Sequence, residues 1–312
     1  MKKNTLNTAV LAGAAALALF FARPCPAASG DVATAAGQFL KVPVGAAAVA
    51  MGSAYSAAVR DATAVYWNPA ALTEIEGQSA SLMHAALFDS VSLEFLGYAR
   101  RFKGLGAFGF GFQSLSAGSV DKTDSSGFKT GGSFSPADTA FTVAYAGKVS
   151  GFSAGVSAKY IRSRLVSPAT ALAADLGLLS PAYAGGRLVF ALVAQNLGGK
   201  LKYDQASEPL PRNIRLGGAL KRDGGWLFGL DLSLPSDNKL YAGFGGEKRF
   251  DLKSFSAAVR AGYNTQAAGD VDGLTGLSTG FGVEHKKLRL DYALLLFGDL
   301  GPAHRLSIAA AF

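Results

Sequence analysis

Trp226-Leu227-Phe228-Gly229-Leu230-Asp231-Leu232-Ser233-Leu234 carries a large apolar side chain at every second position. In an extended chain Trp226, Phe228, Leu230, Leu232 and Leu234 share one face, while Leu227, Gly229, Asp231 and Ser233 share the other. The stretch therefore reads as a β-strand with one apolar face. Further on, Leu288, Leu290, Tyr292, Leu294 and Leu296 alternate with Arg289, Asp291, Ala293 and Leu295. Leu306, Ile308, Ala310 and Phe312 alternate with Arg305, Ser307, Ala309 and Ala311. Two architectures use such strands. A soluble sandwich turns the apolar face inward, and a membrane barrel turns it outward to lipid. The second face favours the barrel, because it is mostly Gly, Ala and Ser with about one charge per strand, whereas a solvated surface carries more Lys and Glu.

Working outward, similar segments fill the chain after residue 77. They are 78–88, 91–102, 105–116, 139–149, 152–165, 170–180, 187–197, 213–221, 226–234, 239–250, 253–264, 276–285, 287–297 and 303–312. That is about fourteen strands, each near the length a tilted membrane strand needs. Polar loops are expected at 117–136 and ahead of residue 213. Every proline after Leu72 falls outside these segments or at their ends, where a missing N–H breaks no ladder. The charges expected to face the lumen are Glu94, Arg100, Lys159, Asp175, Arg187, Arg215, Lys221, Asp231, Glu247, Arg260, Glu284, Arg289, Asp291 and Arg305. They could pair with one another or with the segment that precedes the strands, or simply line a wet interior.

Composition agrees with the strand reading. Hydrophobic residues make up 49% and charged residues 17%, yet no stretch beyond the leader offers the roughly 18 consecutive bulky apolar residues of a membrane helix. Residues 1–28 read as a signal peptide, with Lys2 and Lys3, an apolar run at 9–22, and small residues near Ala28. Cys25 is the sole cysteine; Arg23-Pro24 ahead of it suits lipoprotein cleavage poorly. The leader holds Lys2, Lys3 and Arg23 and no acid, so its removal takes the formal charge from +8 to +5. No basic-aromatic run points to nucleic acid.

Residues 29–77 precede the strands and differ in character. Asp61 can cap a short helix through Thr63-Ala64-Val65. Pro69 forces Asn68 out of the helical region and interrupts that helix. Tyr66 and Trp67, each with a polar tip, suit the boundary between a packed plug and a wet lumen.

The sequences Ala50-Met51-Gly52-Ser53-Ala54-Tyr55-Ser56-Ala57 and Asp61-Ala62-Thr63-Ala64-Val65-Tyr66-Trp67-Asn68-Pro69-Ala70-Ala71-Leu72 resemble the N-terminal segment of the PorV/PorQ family. Ser53 and Ala71 stand where that family usually has glycine. Asn196-Leu197-Gly198, Leu210-Pro211-Arg212-Asn213-Ile214-Arg215-Leu216-Gly217 and Phe297-Gly298-Asp299-Leu300-Gly301-Pro302-Ala303-His304-Arg305-Leu306-Ser307 also resemble it. The family is related to FadL-type outer-membrane transporters, whose N-terminal hatch carries an Asn-Pro-Ala motif inside a barrel. The resemblance implies an all-β outer-membrane barrel of 78–312 with a hatch formed by 29–77. Its motif residues are Asp61, Tyr66, Trp67, Asn68, Pro69 and Ala70. It also implies a closing hairpin with Gly298, Asp299, His304 and Arg305, and a terminal Phe312 presented to the barrel insertion machinery. FadL-type barrels open sideways through a kink in an early strand. Here that points to Gly109 and Gly111, whose faces alternate with Phe108, Phe110 and Phe112.

The sequence offers no catalytic constellation. His84, His285 and His304 lack metal-ligand spacing. The run at 104–111 lacks the lysine and strand-to-helix context of a phosphate loop. No Gly-x-Ser-x-Gly elbow is present, and Asp299 near His304 has no nucleophile. The expectation is therefore a non-enzymatic outer-membrane protein without cofactor. Its partners would be outer-membrane lipid and either secretion-system proteins or a small hydrophobic molecule. A PorV/PorQ-type role in protein secretion or surface attachment comes first, and FadL-like uptake is the alternative.

Overall fold

The computed structural model describes residues 34–88, 90–165, 167–203, 206–267 and 274–312. The signal peptide and Cys25 lie outside them.

The strands are β1 Gln78–Ala86, β2 Ser92–Phe102, β3 Gly106–Ser116, β4 Val120–Thr123, β5 Lys129–Phe134, β6 Ala137–Val149, β7 Phe152–Arg164, β8 Pro168–Leu179 and β9 Leu188–Gly198. There follow β10 Lys200–Tyr203, β11 Ala206–Pro209, β12 Asn213–Arg222, β13 Trp226–Pro235, β14 Tyr241–Asp251, β15 Ser256–Asn264, β16 Thr275–His285, β17 Leu288–Phe297 and β18 Pro302–Ala311. Fourteen of them form one closed barrel in chain order, with β1 paired to β18. β4–β5 and β10–β11 are separate two-stranded hairpins on the connections between barrel strands. The sequence pattern left both regions as loops. β4 is exposed along its whole length and so has no apolar face to give a period of two.

Closure satisfies the edges that an open sheet would leave unpaired. Ser79 to Ala86 pair in register with Ala311 to His304. Beyond that ladder, Gln78 N donates to Phe312 O at 2.9 Å and Phe312 N donates to Gln78 O at 3.0 Å. The strands turn tightly at this end, as at Gly224 and Gly225, whose φ of 80° and 79° suit a hairpin turn that a side chain would strain. The longer connections, with both extra hairpins, lie at the opposite end.

The faces sort as the alternation requires. Trp226, Phe228, Leu230, Leu232 and Leu234 of β13 are exposed outward, whereas Gly229, Asp231 and Ser233 are buried inward. An exposed apolar wall on a closed barrel is a lipid-facing wall. The charges need a correction. Lys159, Asp175, Arg215, Asp231, Arg260, Asp291 and Arg305 are buried inside the barrel. Glu94 and Arg100 instead project outward on β2, where the inward positions hold Leu93, Phe95, Gly97 and Ala99. β2 has large apolar side chains on both faces, so alternation alone could not orient it. Arg187 and Lys221 are exposed at strand ends, and Glu284 sits at the rim with Arg249.

Replacing Phe312 by Asp places a charge at this closing seam. We expect the variant to be exported yet to show severalfold less heat-modifiable barrel by gel mobility; wild-type assembly would show that the terminal aromatic is dispensable.

Candidate functional site

Within the ring of strands lies an inner segment, running from Gln38 to Ile75. Its regular structure is brief: a 3-10 turn at Gln38–Lys41, helical turns at Ala46–Ala50 and Ala64–Trp67, and a 3-10 helix at Pro69–Glu74. Small residues let its backbone reach the wall. Gly52 and Met51 lie against the backbone of β14 and β15 at Gly243, Gly245 and Gly262. Irregular buried backbone must find hydrogen-bond partners, and here barrel side chains provide many of them. Ala46 N donates to Ser307 Oγ at 2.8 Å, Gly52 N to Ser278 Oγ at 3.1 Å, and Ala62 N to Ser79 Oγ at 3.1 Å. Ser56 N and Ser56 Oγ donate to the two carboxylate oxygens of Asp231, at 3.1 and 2.9 Å. Gln113 Nε2 donates to Phe39 O at 3.0 Å, and Gln195 Nε2 to Tyr66 O at 2.9 Å.

The motif expected to form the hatch lies at the centre of this packing. Asn68 is extended (φ −164°, ψ 105°), so it ends one helical turn and caps the next. Its Oδ1 accepts from Ala70 N at 3.0 Å, while Nδ2 donates to Ser56 O at 3.2 Å and to Leu178 O in the β8 wall at 3.3 Å. Pro69 then starts the 3-10 helix without an N–H to satisfy. Gly177 leaves room for it, since a Cβ there would stand 3.0 Å from Pro69 Cδ.

Trp67 is fully buried and donates from Nε1 to Val44 O at 2.9 Å. The Arg215 guanidinium lies 4.8 Å from its ring centroid. Tyr66 is buried too, and its hydroxyl donates to Leu40 O at 3.2 Å. The sequence reading placed these two tips at a wet boundary. The structure corrects this: both tips are met by the segment's own carbonyls inside a packed interior. Burial accordingly pushes the Tyr66 phenol well above its usual range.

Thr63 immediately precedes the helical turn and makes no side-chain cap bond; the capping carboxylate is that of Asp61, two residues earlier. Its Oδ1 accepts from Thr63 N at 2.9 Å and Thr63 Oγ1 at 2.5 Å, and its Oδ2 pairs with Arg289. From there the charges alternate. Arg289 Nε reaches Asp291 at 2.7 Å, Asp291 reaches Arg260 at 2.8 Å, and Arg260 reaches Glu247 at 2.6 Å. The chain ties the inner segment to β14, β15 and β17. Burial alone would raise the Asp61 carboxyl, but Arg289 and the Thr63 hydrogen bonds outweigh it and hold the group below the usual range. A second anchor joins Glu74 to Arg60 and Lys148, each at 3.0 Å. These pairs were not assignable from the sequence, although Arg289, Asp291 and Arg260 stood out on polar strand faces.

The other expected sites are scattered. Gly109 and Gly111 do face the inner segment. A Cβ at Gly109 would stand 2.6 Å from Val65 Cγ2, and one at Gly111 would stand 3.0 Å from Val65 Cγ1. β3 itself pairs without a break to β2 and β6. Among the barrel strands the register shifts lie between β16 and β17 and between β8 and β9, the latter around Asp175. There Asp175 Oδ1 accepts from Asn196 N at 2.8 Å, and Lys159 reaches both Asp175 and Asn196 at 2.8 Å. Gly298 and Asp299 form the turn between β17 and β18. His304 points outward to the Tyr292 hydroxyl at 2.7 Å, and Arg305 points inward and is buried. His304 and Arg305 therefore do not form one site. Among the described residues no cluster of three His, Cys, Asp or Glu could hold a metal.

A sequence profile described as type IX secretion system protein PorV matches residues 26–223. The chain belongs to the PorV family. It is an outer-membrane β-barrel, and its structural neighbours are channels of the FadL type. The Pseudomonas putida toluene transporter TodX superposes with a TM-score of 0.56 at 13% identity, over 86% of this chain and 96% of that one. A Pseudomonas aeruginosa FadL homologue gives 0.58 at 12% identity, over 87% and 99%. The monoaromatic hydrocarbon channel CymD gives 0.56 at 12%, over 87% and 98%. At such identities the likeness concerns the fold. No curated protein matches this PorV-family chain by sequence.

Asp61 titrates in a definite direction. Its folded pKa is depressed, so its stabilisation is complete above the unfolded value of about 4 and is lost as pH falls through the lower folded value. Asp61→Asn is expected to weaken retention of the inner segment by about 1–3 kcal/mol, since Arg289 loses one carboxylate and keeps Asp291. Hydrogen exchange of residues 55–66 at neutral pH measures this. Exchange in the variant that matches wild type would show that the ion chain does not hold the segment.

Proposed function

We propose that this protein serves as an outer-membrane partner in type IX protein secretion or surface attachment, with the inner segment acting as a hatch that keeps the barrel shut. The observation that carries this reading is the hairpin β4–β5. It lies on the longest connection of the barrel and is exposed throughout apart from the half-buried Phe134. Phe128, at its tip, is 71% exposed. An aromatic side chain held out on a polar hairpin is suited to anchoring in a pocket of another protein. The packed interior supports the same reading, for the cavity between Gly45–Ala48 and the β1–β18 wall is only about 10 Å³, room for about one water. Membership of the PorV family supports a secretion setting.

Deleting residues 119–134 and joining the ends with a short Gly-Ser link is expected to leave the barrel heat-modifiable and to reduce secreted cargo about tenfold or more in culture supernatants, the scale on which interface anchors act. Undiminished secretion would remove the hairpin from the partner interface.

The FadL-like fold favours a second reading, uptake of a small hydrophobic molecule with the hatch controlling a sideways opening at Gly109 and Gly111. Valine at both positions would collide with Val65 and Leu72 and displace the hatch there. Under this reading the double variant assembles normally and loses uptake of a long-chain apolar probe into vesicles. Unchanged uptake, or none by the parent protein, leaves secretion as the function.

A further inference from the structure

A notch of about 530 Å³ opens where β2 turns into β3. It lies at the tight-turn end of the barrel, beside the seam where Phe312 meets Gln78. Arg101, Lys103 and Lys148 line it, with Phe102, Leu105 and Tyr145. Lys148 already shares Glu74 with Arg60. Arg101 and Lys103 are exposed, and among the described residues neither has an ion-pair partner. Glu76, also exposed, is the one carboxylate among the lining residues. The notch therefore offers an excess of cations. Gly104, Gly106 and Gly147 contribute no side chains to its floor, and the space around Gly104 is open.

The wall beside the notch is aromatic and faces outward. The Phe102 and Phe108 ring centroids are 5.8 Å apart, and those of Phe108 and Tyr145 are 5.0 Å apart. All three rings are exposed. The Arg100 guanidinium lies 4.7 Å from the Phe102 centroid. Tyr145 fixes the turn by donating from its hydroxyl to Leu105 O at 2.8 Å. Trp226, Phe250 and Phe255 are exposed at the same end of other strands. Such a belt marks the membrane–water boundary. The notch thus straddles that boundary, with cations toward water and rings toward lipid.

We propose that this notch is a binding site for an anionic phospholipid, its phosphate held by Arg101, Lys103 and Lys148 and its acyl chains lying along Phe102, Phe108 and Tyr145. Guanidinium and ammonium groups make charge-assisted hydrogen bonds to phosphate oxygens. A soluble phosphate could use the same cations, but the exposed aromatic wall has contact only for an attached hydrocarbon chain.

The test is native mass spectrometry of the full-length barrel, extracted from vesicles holding equal amounts of phosphatidylglycerol and phosphatidylcholine. Wild type is expected to retain phosphatidylglycerol preferentially. The double variant Arg101→Glu, Lys103→Glu should retain roughly thirtyfold less, given about 1 kcal/mol for each of the two basic residues near an anionic lipid. Heat-modifiability checks that it is folded. A second double variant, Arg162→Glu with Arg164→Glu, alters the same number of exposed charges at the other end of the barrel and should leave retention unchanged. Excess inorganic phosphate should not displace the lipid. Equal retention by wild type and the notch variant would overturn the proposal, as would equal loss in the two charge variants. Displacement by inorganic phosphate would reassign the site to a soluble phosphate ester and overturn the lipid assignment.

Discussion

A closed barrel of fourteen strands encloses a space, and here that space is filled by a chain segment with little regular structure. The backbone of such a segment has few partners of its own. Each buried N–H or carbonyl left unmet costs free energy comparable to a lost hydrogen bond. The inward face of the barrel is organised around that constraint. Ser79, Ser278 and Ser307 accept from the segment's amides, Gln113 and Gln195 donate to its carbonyls, and Asp231 receives the turn at Tyr55 and Ser56. The short polar side chains along the strands are thus partners for another part of the same chain.

Close packing follows from the same arrangement. Met51, Gly52, Val65 and Pro69 come against glycines of β3, β7, β8, β14 and β15. A larger residue at those wall positions would force the segment away and break several of the hydrogen bonds just described. The charges obey the same logic. Glu247, Arg260, Asp291, Arg289 and Asp61 alternate in sign, so each buried charge has an opposite neighbour. Arg305 stands apart: it is buried on the inner face, and among the described residues its Nε and Nη1 have no hydrogen-bond partner.

These features bear on function through a contrast between the two ends and the middle. The middle is packed and tied by ion pairs. One end carries the β4–β5 hairpin with its exposed Phe128, and the other carries a cationic notch beside an aromatic wall. The groups free to meet other molecules are at the rims and on the outer surface.

The barrel itself was legible in the sequence. A strand rising two residues per repeat must put Leu230 and Asp231 on opposite faces, whatever surrounds it, so alternation fixed the strand type, and the small second face chose lipid over water. Asn68-Pro69 likewise fixed a break between two helical turns, because proline restricts the residue before it. Alternation could not orient a strand with apolar residues on both faces, which is why Glu94 proved to face outward beside His84. It could not find β4–β5, which has no apolar face. It also could not tell whether Trp67 and Tyr66 met water, because that depends on whether carbonyls of Val44 and Leu40, more than twenty residues earlier, reach them. The pairing of Asp61 with Arg289 and the notch between β2 and β6 were likewise decided only by the tertiary structure, since strand closure alone brings such distant residues to within contact.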